Sequence, residues 1–272
     1  MTMIRRVAIL YLVLAAVLIV YMFPILWLFS QSIKRDVEIF AMPPVWFPTN
    51  PTLANYEEVF NFFGFGTALV NSFIVTGTTL VITLLLSIPA AYGLSRYKFP
   101  GAKILLLAII ACRMIVPPAL LVPLFNVLNS FGLINTPIAI IVGHLTWTLP
   151  LGIWLLIGFF DTLPEDIEEA GMMDGMSTLQ LIVKVVLPVS APGIAVVSLF
   201  TFMTSWNEFM FASIFATSYR VGGTAIAGMV STYKIWWGDI AGAGLIFSVP
   251  MIIVAIVAQK YIVQGLTYGA IR

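Results

Sequence analysis

Most residues that could do chemistry in this chain lie in one acidic stretch, residues 161–192. Six of the chain's 12 acidic residues fall there, between two long apolar segments. Such a charge run is typical of either a solvated loop or a surface that docks a water-soluble partner. The chain has one cysteine and one histidine, so disulfides and Cys or His metal clusters are not expected. Ion pairing is therefore the main chemistry available to the stretch. The acids are Asp161, Glu165, Asp166, Glu168, Glu169 and Asp174.

The composition indicates which elements position this stretch. The 272 residues are 61% hydrophobic and 9% charged, whereas soluble domains are about 25% charged. The chain is therefore expected to be a polytopic membrane protein. Arg5 and Arg6 precede an apolar run that is too long for a signal peptide and has no small-residue cleavage site before Ser32. We interpret this run as an uncleaved first span.

The apolar runs predict an all-α integral membrane fold with six transmembrane helices in one domain, residues 1–272. The third span carries Arg113 and the prolines Pro117, Pro118 and Pro123, which interrupt its hydrogen-bond ladder. The acidic stretch begins where the fourth span ends, with a loop at residues 161–185. The spans are predicted at about 7–30, 67–94, 104–126, 138–160, 186–212 and 241–259.

The distribution of Lys and Arg predicts that both termini lie in the cytoplasm. Eight of the 13 basic residues fall on the side of the N-terminus, four fall on the other side, and Arg113 lies within a span. Positive charge is enriched in cytoplasmic loops. The same orientation places the acidic stretch in the cytoplasm. The eight are Arg5, Arg6, Arg96, Lys98, Lys103, Lys184, Lys260 and Arg272, and the four are Lys34, Arg35, Arg220 and Lys234.

Local chemistry predicts a helix–turn–helix in the acidic stretch. Thr162 and Glu165 match a capping box, with Pro164 in the first turn. Gly171 and Gly175 weaken the far end of this first helix. Ser177 is a second N-cap candidate, for a helix that runs through Lys184 and breaks near Leu187-Pro188.

The spacing within the stretch resembles the EAA loop of ABC-transporter permeases. That pattern is roughly E-A-A-x-x-x-G, nine residues, then I-x-L-P. Here it is Glu169-Ala170-Gly171, Asp174-Gly175, nine residues and Val185 to Pro188, with Gly171 in place of Ala and Val185 in place of Ile. Further segments resemble carbohydrate-type permeases, above all the G-type subunits of the maltose transporter family. They are Arg96 to Gly101, Gly132 to Thr136, Trp206 to Glu208, Trp237 to Asp239 and Gly265 to Ala270.

This resemblance implies a non-catalytic permease subunit of an ATP-driven importer in the cell (inner) membrane. A sugar or sugar-like solute is implied, with a glycerol-phosphate-type, acidic-sugar or polyol substrate as the alternative. The implied partners are a second, different permease, two cytoplasmic ATPase subunits, an external solute-binding protein and membrane lipid, with no nucleic acid. No cofactor or metal is expected on this chain. It has no G-x-x-x-x-G-K-[ST] phosphate loop, so ATP and Mg would be bound by the ATPases.

The resemblance also implies roles for two groups of residues. In the cytoplasm Glu169 would pair with a basic residue of the ATPase, Gly175 would allow the turn, and the C-terminal tail would touch the ATPases. Outside, one loop would face the binding protein. The implied ATPase-coupling residues are Glu169, Ala170, Gly171, Asp174, Gly175, Leu187 and Pro188. The residues of the outer loop are Trp236, Trp237, Gly238 and Asp239.

Polar and aromatic residues inside the spans are candidates for the translocation path. Arg113 comes ten residues after Lys103, about 15 Å along a helix. A charge at that depth costs about 2.5–3.5 kcal/mol, so Arg113 either contacts substrate or pairs within the complex. The other candidates are His144, Trp147, Trp206, Asn207 and Glu208.

Each of these other candidates also has a structural interpretation. The alternative for His144 is a packed, hydrogen-bonded core histidine. Trp147 and Trp206 could stack on sugar rings or anchor the chain at the membrane interface. Asn207 and Glu208 belong to a motif that looks common to the family, which favours a structural role at an external gate.

Two other classes of protein fit the sequence less well. A secondary transporter would use Arg113 and Glu208 as coupling charges, but the two halves show no inverted repeat. It would also leave the acidic loop unexplained. A membrane-embedded enzyme would need clustered acids, Cys or His inside the spans, which the sequence does not supply.

Overall fold

The computed structural model describes the backbone of residues 3–268 and the side chains of residue 7 and residues 9–260. Within this range the ordered elements are helices, apart from one isolated β-bridge between Val230 and Ile235. The predicted ATPase contact of the tail lies mostly outside the described side chains. In chain order the helices are α1 (Met3–Ser32), α2 (Asp36–Ile39), α3 (Ala54–Asn61), α4 (Phe65–Arg96), α5 (Ala102–Cys112), α6 (Pro117–Ser130), α7 (Pro137–Phe160), α8 (Glu165–Met173), α9 (Thr178–Leu181), a π-helical segment (Ile182–Val186), α10 (Leu187–Val189), α11 (Ala191–Asn207), α12 (Met210–Phe215), α13 (Gly222–Ala227) and α14 (Trp237–Tyr268).

Four stretches in the described part of the chain are single helices long and apolar enough to cross a membrane. They are Ile9–Ser32, Phe65–Arg96, Pro137–Phe160 and Trp237–Lys260. Two further spans are formed if each of two bent helix pairs crosses as one unit. The all-α fold predicted from the apolar runs is confirmed, with four spans, or six when the bent pairs are counted.

The first bent pair occupies the third span, expected at 104–126 with a hydrogen-bond ladder interrupted by prolines. Helices α5 and α6 meet at 98° across a short break. Val116 is extended, with φ −67° and ψ 136°, because a residue that precedes proline is sterically disfavoured in the α region. Pro117 then opens α6 at a position where its missing N–H costs little. Arg113 caps the end of α5 and so lies in this elbow.

The second bent pair lies at the start of the fifth span. Residues Thr178–Val189 and Ala191–Asn207 meet at 81°. The bend falls at Ser190, three residues beyond the break predicted near Leu187. The long helix ends at Asn207, and Glu208 has extended backbone. The predicted span 186–212 therefore contains a bend near its start and a break near its end.

The chain forms two compact units. The first consists of residues up to Thr67 together with Ala225–Val249. In it Asn55 joins α3 to the end of α1, because its Nδ2 donates to the carbonyls of Ser32 at 2.9 Å and Lys34 at 2.8 Å. Gly238 lies so close that an added Cβ would be 2.6 Å from Asn55 Nδ2. Only glycine fits at position 238. The close approach of Gly238 to Asn55 packs the start of α14 against α3.

The second unit consists of Ala68–Thr224 and the residues from Pro250 onwards. One face of α4 carries five buried hydroxyl residues spaced three or four apart, so that they line one side of the helix. Gly152 of α7 packs against this face, where an added Cβ would lie 3.2 Å from Thr83. Small residues let membrane helices approach closely, which explains the Thr- and Ser-rich second span. The five are Ser72, Thr76, Thr79, Thr83 and Ser87.

Candidate functional site

The acidic loop folds as two short helices joined by a tight turn. Helix α8 ends at Met173, and Gly175 then adopts φ +79°, a conformation that glycine reaches without strain. Ser177 forms a capping box with Gln180, which confirms the predicted second N-cap. The predicted box at Thr162 is wrong. The Thr162 hydroxyl donates to the Phe159 carbonyl instead, and α8 begins after Pro164 with no side-chain cap.

The residues assigned to ATPase coupling divide into exposed and buried positions. Glu169, Ala170, Asp174, Gly175 and Pro188 are exposed, and Leu187 is half-buried. The Glu169 side chain makes no hydrogen bond or ion pair with the described residues, so its carboxylate is available to a partner. Its coupling role stays a prediction.

Gly171 is the buried member of the coupling set. A Cβ added at this position would lie 2.7 Å from Leu181 Cδ1, and Leu181 itself is only 1% exposed. The departure from alanine at position 171 therefore matches a close approach between α8 and α9.

Glu168 occupies a position that sequence reasoning did not single out. It is buried, with 5% of the residue exposed. Its Oε1 pairs with Arg96 Nη2 at 2.7 Å and accepts from Arg96 Nε at 2.8 Å, and its Oε2 accepts from the Tyr92 hydroxyl at 2.8 Å. Both carboxylate oxygens are thus satisfied. Tyr92 and Arg96 are four residues apart and so lie on one face of α4. This spacing was the sequence signal that could have indicated a shared polar partner.

The C-terminal turn of α4 also hydrogen-bonds to the linker that precedes α8. Arg96 Nη2 donates to the Leu163 carbonyl at 3.2 Å. The Ser95 hydroxyl donates to the Asp161 carboxylate at 2.5 Å. The last turn of α4 is therefore bonded to the 161–164 linker as well as to α8.

Arg113 and Trp147 come together at the elbow between α5 and α6. The guanidinium carbon lies 4.5 Å from the centre of the Trp147 ring, within the range of a cation–π contact. Arg113 Nη1 also lies 3.5 Å from the Trp147 carbonyl, at the long end of hydrogen bonding. Both residues are half-buried, so part of the pair is open to a solute.

His144 and Glu208 form a buried polar network. His144 Nδ1 lies 2.8 Å from Ser205 Oγ, and its Nε2 lies 3.1 Å from Glu208 Oε2. Glu208 also accepts from the backbone N–H groups of Phe211 at 2.9 Å and Ala212 at 3.3 Å. It therefore caps the start of α12, so the geometry favours the structural interpretation of both residues.

The two remaining path candidates differ in exposure. Trp206 is 2% exposed, stacks on Phe202 at 5.4 Å and meets Phe73 edge-on at 4.8 Å. Asn207 is exposed, and its Nδ2 donates to the carbonyl of Met203 in its own helix at 3.0 Å. Of the six path candidates, His144 and Trp206 are buried, Arg113, Trp147 and Glu208 are half-buried, and Asn207 is exposed.

Of the four residues expected to face a binding protein, two are buried. Gly238 and Asp239 are buried, and the half-buried Trp236 packs edge-on against Phe63 at 5.5 Å. Trp237 is 47% exposed.

Tyr233 precedes these residues, in the segment between α13 and α14, and is 99% exposed. Ser231 Oγ accepts from the backbone N–H groups of Tyr233 at 3.2 Å and Lys234 at 3.0 Å. Lys234 pairs with Asp36 at 2.9 Å, and this hydrogen bond raises the pKa of the lysine. The tip that carries Tyr233 is therefore ordered, and sequence reasoning missed it.

Comparison with known proteins places this architecture in one class. Residues 83–268 match the family described as the inner membrane component of binding-protein-dependent transport systems. The chain belongs to this family. It is thus a multi-pass inner-membrane permease subunit, as the resemblance to ABC permeases predicted, and it works with ATPase and solute-binding partners.

Individual relatives match over nearly their whole length. The trehalose/maltose transport system permease protein MalG of Thermococcus litoralis is 34% identical over 96% of this chain and 96% of its own. The sulfoquinovosyl glycerol transport system permease protein SmoH of Agrobacterium fabrum is 33% identical over 92% of this chain and 89% of its own. A chain of a bacterial ABC transporter that imports the acidic polysaccharide alginate shares the fold. Its TM-score is 0.80 at 22% identity, with 94% of this chain and 96% of that chain covered.

Proposed function

We propose that this chain is the permease subunit of an ATP-driven importer for a sugar or sugar-like solute. The observation that carries the proposal is the similarity, over more than nine-tenths of the chain, to permeases of trehalose/maltose and sulfoquinovosyl glycerol systems. A second, different permease completes the path, and two ATPase subunits lie beneath it. Their closure moves α8 and so switches the path between inward and outward access.

Helix α8 is the part of this subunit that docks on an ATPase. Its surface carries the exposed and unpaired Glu169 close to the turn at Gly175. A carboxylate in this position suits a basic residue in a cleft of the partner. The proposed contact is thus an ion pair made by Glu169.

Charge reversal tests this contact. In a complex purified through a tag on this chain, Glu169→Lys is expected to lose the ATPase subunits and solute uptake. Asp166→Lys makes the same charge change at an exposed position one turn earlier in α8, and it is expected to retain both. Retention of the ATPase subunits and of normal uptake by Glu169→Lys would refute the docking role.

A second candidate substrate class is an acidic sugar. The observation that favours it is Arg113, a cation in the elbow with part of its surface open beside Trp147. The indole offers an apolar face to a sugar ring, and the guanidinium offers paired donors to a carboxylate, sulfonate or phosphate.

Binding and uptake measurements separate the two substrate classes. Titration of the cognate binding protein with neutral and acidic sugars identifies which class the system takes. For an acidic sugar, Arg113→Gln is expected to lower uptake at least tenfold, and Arg113→Lys less. For a neutral sugar, Arg113→Gln should change uptake by less than threefold.

A further inference from the structure

Helix α8 is bonded to α4, a helix to which it is not adjacent in sequence. Glu168 contacts Arg96 at 2.7 Å and Tyr92 at 2.8 Å, across 72 and 76 residues of chain. The Arg96 and Glu168 side chains are 11% and 7% exposed. An ion pair shielded from water in this way is screened less than a surface pair and holds its geometry through charge-assisted hydrogen bonds.

The connection from α8 to α11 is built differently. It passes through the turn at Gly175, the π-helical segment Ile182–Val186 and the 81° bend that precedes α11. π-Helical turns are rare and occur frequently at functional sites. Helix α8 is therefore tied firmly to α4 on one side, while the path to α11 contains several points where the backbone can adjust.

Helix α4 in turn is bonded to α7 within the same unit. Thr83 Oγ1 and Thr148 Oγ1 are 2.9 Å apart, and Thr148 also donates to the His144 carbonyl at 3.1 Å. Thr148 directly follows Trp147, the residue under the Arg113 guanidinium. A displacement of α4 would thus reach the residues around the elbow through buried contacts.

We propose that Glu168 is a positioning residue that transmits the displacement of α8 to α4, with Arg96 and Tyr92 as its partners. This inference rests on the proposed docking of α8 on an ATPase. It assigns different tasks to two adjacent carboxylates. Glu169 holds the ATPase, and Glu168 passes the resulting motion into the membrane helices.

The test measures how much solute is moved for each ATP hydrolysed. The whole complex, with its ATPases and binding protein, is reconstituted in proteoliposomes, and uptake and ATP hydrolysis are followed in the same samples. Glu168→Gln is expected to keep the ATPase subunits and their hydrolysis rate within twofold. It should lower uptake per ATP at least tenfold, because the neutral amide loses the ion pair with the Arg96 guanidinium.

Two further variants separate a transmitting role from a purely structural one. Arg96→Gln should lower the ratio as much as Glu168→Gln, and the double variant should be no worse than either single one, since all three lack the same pair. Tyr92→Phe keeps the ion pair and removes one hydrogen bond, so a drop of about threefold is expected. If Glu168→Gln does not assemble, Tyr92→Phe decides the question.

Each outcome supports or overturns the inference. Unchanged uptake per ATP in assembled Glu168→Gln, or in Tyr92→Phe where the former does not assemble, would overturn it. Loss of the ATPase subunits from a Glu168→Gln complex in which the two permeases still assemble would also overturn it, by making Glu168 a docking residue. If Glu169→Lys retains the ATPases while Glu168→Gln uncouples them, the proposed docking contact fails and the link to α4 stands.

Discussion

Replacing Gly171 by alanine, the residue of the EAA pattern, is expected to destabilise the acidic loop of this chain. The new Cβ would lie 2.7 Å from Leu181 Cδ1, whereas carbon atoms in contact are normally about 3.5–4.0 Å apart. Leu181 must therefore move by about 1 Å, although it is 1% exposed. Overpacking of this kind costs about 1–3 kcal/mol, and the better helix propensity of alanine returns up to about 1 kcal/mol. The net expectation is a loss of about 1 kcal/mol, within a range of about 0–2 kcal/mol.

Thermal unfolding of the purified chain in detergent measures this loss, and hydrogen exchange over α8 and α9 locates it. A loss of about 1 kcal/mol corresponds to a decrease in Tm of about 2–4 °C for a chain of this size. The matched control is Gly158→Ala in α7, where nothing lies within 4 Å of the added Cβ. This variant should be neutral or slightly stabilising.

A double variant tests the cause of the loss. Leu181→Val removes the atom that the new Cβ meets, so Gly171→Ala should cost at least 1 kcal/mol less in that background. If Gly171→Ala is as stable as Gly158→Ala, or if Leu181→Val gives no relief, contact with Leu181 is not the reason that glycine occupies this position.

Three other substitutions have expected outcomes of their own. Gly193→Ala should lower the free energy of unfolding by about 1–3 kcal/mol, because its Cβ would lie 2.4 Å from the Phe159 ring. Phe159→Leu in the same chain should reduce this loss, and thermal unfolding measures both variants. Glu208→Ala should cost about 1–2 kcal/mol through loss of the α12 cap, measured in the same way, whereas Glu208→Gln should cost less; equal losses would contradict the capping role. Tyr233→Ala should leave Tm within 1 °C, because the residue is 99% exposed. It should lower the ATP hydrolysis that the binding protein stimulates at least fivefold. Unchanged stimulation would exclude Tyr233 from the interface with the binding protein.

Sequence alone predicted the features that depend on neighbouring residues. The apolar runs gave the all-α fold, and Ser177 gave the N-cap of α9, to which the structure adds Gln180 as the capping-box partner. Prolines indicated that the third span is interrupted, but not that the chain turns by 98° there. That angle depends on the extended conformation of Val116 and on packing against other helices.

Some local and some distant contacts could not be read from spacing. Thr162 has the spacing of a capping box, yet its hydroxyl bonds the Phe159 carbonyl, which competes with capping. Asp239 and Gly238 look like loop residues, but α3 covers Gly238 through Asn55. In both cases an alternative partner decides the outcome, and that partner becomes visible only in the fold.

The pair Glu168 and Glu169 shows most clearly what the fold adds. Neighbouring residues on a helix point about 100° apart, so only one of two adjacent carboxylates can face the protein interior. Spacing cannot tell which one, because the deciding partner, Arg96, lies 72 residues away in the chain. Burial of Glu168 turns Glu169 outward and leaves it unpaired among the described residues. Helix α8 therefore needs both acids: without Glu168 it would lose its ion pair with α4, and without Glu169 it would lose the carboxylate proposed to pair with the ATPase.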